Sequence, residues 1–133
     1  MRIGIIGSNE YQNSRKVKDT IFNLKNKFKD SLIVVSGGCL EGADRFAKKY
    51  AIELECKYLE FNPAHTPKNL YSALHENYYG KIYMPKNFFH RNKMLAKYID
   101  CIIAFIPEGQ KSSGAEHTIK EAKKINKKVV IIS

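Results

Sequence analysis

The sequence lacks long hydrophobic runs, although 44% of its 133 residues are hydrophobic. Its longest apolar stretches, residues 101–107 and 129–132, fall far short of the ~20 residues that a membrane-spanning helix needs. The opening Met1-Arg2-Ile3-Gly4 leads directly into a strand-like run and does not resemble a signal peptide. We therefore expect neither membrane insertion nor export.

Cysteine is also scarce, with three residues and no CxxC pair. Cys56 and Cys101 lie in or beside apolar runs, where a free thiol packs as a small hydrophobic group. Cys39 lies in a glycine-rich segment, where a helix N-terminus could activate its thiol, although packing is the favoured interpretation. An odd number of unpaired cysteines favours a reducing, cytoplasmic location.

No spacing typical of a metal site is present. The histidines are scattered along the chain, at His65, His75, His90 and His117. We predict no metal and no other cofactor.

Acidic residues are few, 13 against 23 lysines and arginines, so the formal net charge is +10. The lysines are spread over every predicted helix, which is typical of solvated helix faces. A positive field would still attract anionic ligands, either nucleotides or nucleic acid.

The length and apolar content predict one compact domain over residues 1–133. Its five short apolar runs, which alternate with helical patterns, lie at residues 2–7, 32–35, 56–61, 99–106 and 129–132. This alternation indicates an α/β fold, a Rossmann-like domain of three layers with a mostly parallel five-stranded sheet in the order 3-2-1-4-5.

Helical spacing predicts which residues face the core. The first helix would start at Asn13 or Ser14, and a later helix at Asn87. The apolar residues that recur at helical spacing, and that we therefore expect to face the core, are Val17, Ile21, Leu24, Phe28, Phe88, Met94, Leu95, Tyr98, Ile119, Ala122 and Ile125.

The loops after strands one, two and four are rich in Gly, Ser and Asn, and in such sheets the ligand lies beyond these strand ends. In the segment 36–44, Gly37, Gly38 and Gly42 would let the backbone approach a ligand, and the following helix start offers an anion site. Asp44 is open to two interpretations, a helix-start residue or a hydrogen-bonding partner for ribose or the loop.

Four motifs occur in order: Gly7-Ser8, then SGGxxxGAD over 36–44, then RNxM over 91–94, then Ser113-Gly114-Ala115. In this combination the chain resembles the SLOG superfamily of Rossmann-like nucleotide-ligand domains, and specifically its small single-domain branch with a GGAxGAD loop and an RNxM helix. More distantly it is similar to LOG-type phosphoribohydrolases and to the Rossmann core of the DNA-processing protein DprA.

The resemblance implies binding of a nucleotide, cyclic nucleotide or NAD- or ADP-ribose-type molecule, with phosphate held by the loops after strands two and four. Arg91 would face that pocket and offer its bidentate fork to an anion. The ligand-binding residues expected from the motifs are Gly7, Ser8, Asn9, Ser36, Gly37, Gly38, Gly42, Ala43, Asp44, Arg91, Asn92, Ser112, Ser113 and Gly114.

The sequence departs from this family pattern in three places. Asn9 stands where the branch usually has an arginine, for which Arg15 or Lys16 could compensate. Gly114-Ala115 replaces the usual Gly-Thr and leaves Ser112 and Ser113 as hydroxyl donors.

The third departure is an aromatic-rich insertion at residues 65–86. Its aromatic side chains, which could stack on a base or pack against a partner subunit, are those of Tyr71, His75, Tyr78, Tyr79 and Tyr83.

Three functions remain open. The favoured one is a non-catalytic protein of bacterial or phage-host immunity that binds a nucleotide-derived signal. It would either sense this signal or act as a sponge, that is, sequester it. The second is a nucleotide N-glycosidase using Arg91 and Glu116, although Glu116 also fits a Ser-x-x-Glu capping box with Ser113. The third is a nucleic-acid-binding module. The family resemblance also implies a homo-oligomer, a dimer or larger.

Overall fold

The computed structural model describes residues 1–38, 41–61, 85–110 and 112–133. Within these ranges strands and helices alternate along the chain. In order they are β1 (Arg2–Gly7), α1 (Ser14–Phe28), a 3-10 turn (Lys29–Ser31), β2 (Ile33–Ser36), α2 (Gly42–Glu53), β3 (Lys57–Glu60), α3 (Pro85–Tyr98), β4 (Cys101–Phe105), α4 (Ser113–Lys124) and β5 (Lys128–Ile132).

The strands form one parallel sheet in the order β3-β2-β1-β4-β5. Its central strand β1 pairs with both neighbours at Ile3, which lies opposite Val34 of β2 and Cys101 of β4. The predicted α/β fold, Rossmann-like topology and strand order are confirmed. The carboxyl ends of all five strands consequently meet at one edge of the sheet.

Two hydrophobic clusters cover the two faces of the sheet. Ile5 and Phe105 contribute to the cluster under α1 and α2, whereas Ile6 and Ala104 contribute to the one under α3 and α4. Because successive side chains of a strand point to opposite faces, a single apolar run supplies both clusters.

The first helix begins as predicted, because Oδ1 of Asn13 accepts a hydrogen bond from the backbone N–H of Lys16 at 3.2 Å. The prediction for α3 is wrong: this helix begins at Pro85, two residues before Asn87, and takes in the last residues of the expected insertion. Proline suits a first helical position because its fixed φ is already helical and its missing N–H would have no partner there. Met94, which the helical spacing predicted to face the core, is instead 39% exposed.

The C-terminal part also differs from the sequence pattern. Helix α4 ends at Lys124, so Ile125 lies in the cap position and is 42% exposed instead of facing the core. The apolar run of β5 forms an edge strand, and Ile131 is 58% exposed.

Cys56 and Cys101 pack as free thiols against the cluster under α1 and α2, and burial raises the pKa of each. Across the described ranges, none of the helices is long and apolar enough to span a lipid bilayer.

Candidate functional site

A cavity of about 440 Å³ opens at the carboxyl edge of the sheet. Its walls come from the loop after β1, the start of α2, the inner face of α3 and the start of α4. The predicted site residues that line it are Gly7, Ser8, Asn9, Gly37, Asp44, Arg91, Asn92, Ser112 and Gly114. The structure thus brings the four sequence motifs to one place.

Gly42 and Ala43 do not line the cavity but hold two loops together. The carbonyl oxygen of Ser8 accepts hydrogen bonds from the backbone N–H groups of Ala43, at 3.1 Å, and Tyr11, at 3.2 Å. Gly42, at φ +72°, lies so close to Ser8 and Asn9 that any Cβ atom would collide with the Ser8 carbonyl. This glycine is therefore required by loop packing.

Ser36 is buried and likewise is not among the residues that line the cavity. Its buried Oγ lies 2.6 Å from the hydroxyl of Tyr58 and accepts a 3.3 Å hydrogen bond from the N–H of Gly38. Tyr58 in turn donates to Glu60 at 2.9 Å. Burial, the largest cause, raises the pKa of Tyr58, and the phenol remains a proton donor at neutral pH.

Arg91 connects three elements from its position on α3. Its Nη1 donates to the carbonyl oxygens of Gly37 and of Phe61, the latter at 3.1 Å, and its Nε donates to Oδ1 of Asn92 at 2.8 Å. The guanidinium thereby ties the segments that follow β2 and β3 to α3. It lines the cavity from this braced position.

Gly37 leaves room for two charged side chains. A Cβ atom on this residue would lie 2.5 Å from Nη1 of Arg91 and 3.0 Å from Oδ2 of Asp44. Asp44 is only 8% exposed and lies in the first turn of α2, where the helix dipole favours a carboxylate. A buried carboxylate and a braced guanidinium therefore share one wall.

Asn92, next to Arg91 on α3, joins this helix to α4. Its Nδ2 lies 3.3 Å from both the carbonyl oxygen of Gly114 and Nδ1 of His117. Thr118 donates to the same Gly114 carbonyl at 3.1 Å. Asn92 and Thr118 are both buried, so these hydrogen bonds fix the start of α4 against α3.

The start of α4 borders the cavity through Ser112 and Gly114. Ser112, not Ser113, is the residue that precedes the helix, and its side chain makes no capping hydrogen bond within the described structure. The predicted capping box of Ser113 and Glu116 is therefore wrong, since the helix begins one residue too early for that pairing. The Glu116 side chain is exposed and is not part of the cavity lining.

Sequence reasoning missed several residues that line the cavity, namely Ile6, Glu10, Phe88, Leu95, Ala115 and Thr118. Helical spacing in the sequence could have predicted two of them. Phe88 lies three residues before Arg91, and Thr118 four residues after Gly114, so each shares a helix face with a predicted site residue. Thr118 supplies a hydroxyl about one turn beyond Ala115, the position at which the SLOG motif that this chain resembles has threonine.

In the described part of the chain, the positive net charge is not concentrated in this cavity. Among the described lining residues, Arg91 is the only basic one, whereas Glu10 and Asp44 are acidic. Neither Arg15 nor Lys16, the two candidates to compensate for the absence of an arginine at Asn9, lines the cavity. Lys16 donates instead to the carbonyl oxygen of Ser133 at 2.7 Å.

The described residues contain no group of three or more metal-ligating side chains. Several predictions lie outside them: those for Cys39, for His65, and for the aromatic residues between 71 and 83.

No protein-family model matches this chain, and no curated protein is significantly similar to it in sequence. Solved structures show the same fold. DNA processing protein A from Helicobacter pylori, which binds single-stranded DNA, superposes with a TM-score of 0.70 at 21% identity over 100% of this chain. A molybdenum cofactor binding protein from the phototrophic bacterium Rippkaea orientalis superposes with a TM-score of 0.69 at 18% identity over 98%.

The chain spans 65% of the length of the first of these proteins and 74% of the second. At these identities the likeness shows the Rossmann-like fold.

Proposed function

We propose that this chain is a SLOG-type domain that binds a nucleotide-derived small molecule in the cavity, and that it senses or sequesters this ligand without converting it. The ligand class is a nucleotide, a cyclic nucleotide or an NAD- or ADP-ribose-type signal. Binding proteins of two kinds share its fold, which supports ligand binding in general. A role in bacterial or phage-host immunity belongs to the same proposal.

The observation that carries the proposal is that Arg91 and the start of α4 line one cavity. The first N–H groups of a helix have no partner within the helix, and the helix dipole gives this end a partial positive charge. The guanidinium adds a full charge and a planar set of donors. Together these groups suit a phosphate, while the buried carboxylate of Asp44 suits a ribose hydroxyl.

The position of Glu116 disfavours the N-glycosidase in which this residue is the catalytic carboxylate. An N-glycosidase needs a carboxylate that stabilises the developing oxocarbenium ion. Glu116 is exposed and does not line the cavity. The glycosidase alternative predicts release of free base from nucleoside monophosphates, with loss of turnover in Glu116→Ala.

Isothermal titration calorimetry against mono-, di- and cyclic nucleotides, NAD and ADP-ribose tests the proposal. We expect at least one of them to bind, and Arg91→Gln to weaken that binding by about tenfold to a hundredfold, because a charged hydrogen bond contributes about 1.5–3 kcal/mol. Arg15→Gln is the matched control, since it removes the same charge from an exposed site outside the cavity. Absence of binding by the whole panel would refute the proposal.

A nucleic-acid-binding function is the second candidate, because the chain carries a net charge of +10 and one protein of the same fold binds single-stranded DNA. It predicts a gel shift with single-stranded DNA at low salt and an affinity that falls steeply as salt rises. Loss of that shift in Arg91→Gln alone would not distinguish the candidates, so the salt dependence is the deciding measurement.

We further propose that the chain forms a homo-oligomer. Native mass spectrometry of protein purified from cells measures the number of subunits and the mass of any retained ligand in one experiment.

A further inference from the structure

A second cavity adjoins the first at the same edge of the sheet. It has a volume of about 470 Å³ and lies between the loop after β1 and the loop after β4. Glu10 lines both cavities, so they are neighbours across the loop that follows β1. Each cavity is of the size that accepts a small organic ligand.

The two cavities differ in charge. The first has the carboxylates of Glu10 and Asp44 in its walls, but also the guanidinium of Arg91 and the start of α4. The second contains no basic residue among the described ones that line it, but it has the carboxylates of Glu10 and Glu108. An ammonium group, that of Lys16, donates to the carbonyl oxygen of the lining residue Ser133. A phosphate therefore has a weaker site here than beside Arg91, whereas hydroxyl and amino groups would be attracted because ionised carboxylates only accept hydrogen bonds.

The remaining walls of the second cavity suit a flat heterocycle. Pro107 provides apolar surface, and Tyr11, which also lines the cavity, is held in the core against Phe105 and is only 4% exposed. Gln12 and Gln110 approach from the two loops and carry amides, which both donate and accept. A nucleobase has the complementary form, with apolar faces and a hydrogen-bonding edge.

We infer that the second cavity binds an uncharged nucleoside, and that the ligand therefore consists of two nucleoside-sized halves joined through phosphate. One nucleoside and the phosphate linkage occupy the first cavity. The ligand then passes Glu10, and its second nucleoside occupies the second cavity. This inference rests on the proposed function, because it extends the ligand of that same site. It excludes a mononucleotide as the complete ligand.

Matched ligand pairs test the inference by calorimetry. The one-nucleoside probes are the four ribonucleoside 5′-monophosphates and ADP-ribose, which has no second base. The two-nucleoside probes are the corresponding 5′-phosphorylated dinucleotides and NAD. We expect a two-nucleoside probe to bind at least about tenfold tighter than the monophosphate that it contains. The double variant Gln12→Ala/Gln110→Ala should reduce that ratio to about one, because it removes both amides from the second cavity.

Asn23→Ala/Asn26→Ala is the control, since it removes two amides from exposed positions of α1 outside both cavities and should leave the ratio unchanged. Equal binding of monophosphate and two-nucleoside probes, or a ratio that survives the Gln12→Ala/Gln110→Ala change, would overturn the inference and leave the proposed function intact. Failure of every probe to bind would overturn the inference, and failure of the whole calorimetry panel, cyclic nucleotides included, would overturn the proposed function as well.

Discussion

The guanidinium of Arg91 donates a hydrogen bond to the main-chain carbonyl of Gly37, which connects the third helix to the loop after the second strand. This arginine therefore has a structural role in addition to any contact with a ligand. Its second carbonyl partner, Phe61, and its side-chain partner, Asn92, extend the connection.

Replacing Arg91 with lysine should keep the charge but lose the forked geometry. A lysine ammonium cannot reach Gly37, Phe61 and Asn92 from one position, and its stem is more flexible. We expect the free energy of unfolding to fall by about 1–3 kcal/mol, as for other lost hydrogen bonds of a charged group. Urea unfolding measures this loss. Arg45→Lys, at an exposed position of α2, is the control and should change the free energy of unfolding by less than about 0.5 kcal/mol.

Replacing Asn92 with alanine should loosen the contact between α3 and α4. The change deprives the Gly114 carbonyl, His117 and Arg91 of a partner at a position that is 4% exposed. The expected loss is about 1–3 kcal/mol, measured by urea unfolding. Asn23→Ala on the exposed face of α1 is the matched control. Equal effects of the two changes would contradict the role assigned to Asn92.

Gly42 and Gly109 provide a matched pair for testing the packing of the loops. Both have positive φ, +72° and +77°, but a Cβ atom at Gly109 would have no atom within 4 Å, whereas one at Gly42 would collide with Ser8. Gly109→Ala should cost about 1–2 kcal/mol from backbone strain alone. Gly42→Ala should cost more by about 1–3 kcal/mol because of overpacking. Thermal unfolding of the two variants compares the costs, and similar values would refute the packing argument.

Asp100 should make stability depend on pH. The backbone N–H of Arg2 donates to its Oδ2 at 2.7 Å, and this hydrogen bond, the largest cause, lowers the pKa of Asp100 below its ordinary value. A carboxyl group whose pKa is depressed by folding contributes stability above its unfolded pKa, about 3.9, and loses it as the pH falls through the folded value.

The difference in unfolding free energy between the wild type and Asp100→Asn should therefore be constant near neutral pH. It should shrink as the pH falls below about 4, where the unfolded carboxyl binds its proton first. Urea unfolding at a series of pH values measures it. A difference that grows toward low pH would contradict the assignment.

The strand order and the loops of the site could be predicted from the sequence because short apolar runs and glycines have direct physical meanings. Other features depend on the phase and end points of helices. Thr118 reaches the cavity because α4 begins at Ser113, and Asn87 does not start α3 because Pro85 precedes it. The apolar run of β5 gave no sign that Ile131 would lie at an exposed edge, since central and edge strands can have the same composition.

Gly42 shows a different reason why a pattern misleads. It lies in the motif that predicts ligand contact, yet its close neighbours are Ser8 and Asn9. Glycine permits close approach of any backbone, so its presence alone does not identify which partner approaches.

The packing of Gly42 against Ser8 has a consequence for how this site can change. Glu10 contacts these loops through its backbone N–H, which donates to Oγ of Ser8 at 3.1 Å, while its exposed side chain lines both cavities. Substitutions at Glu10 should alter ligand preference with little effect on folding, whereas substitutions at Gly42 should be eliminated before any new preference could appear. Selection for new ligands can therefore act on Glu10 while the packing of Gly42 against Ser8 stays constant.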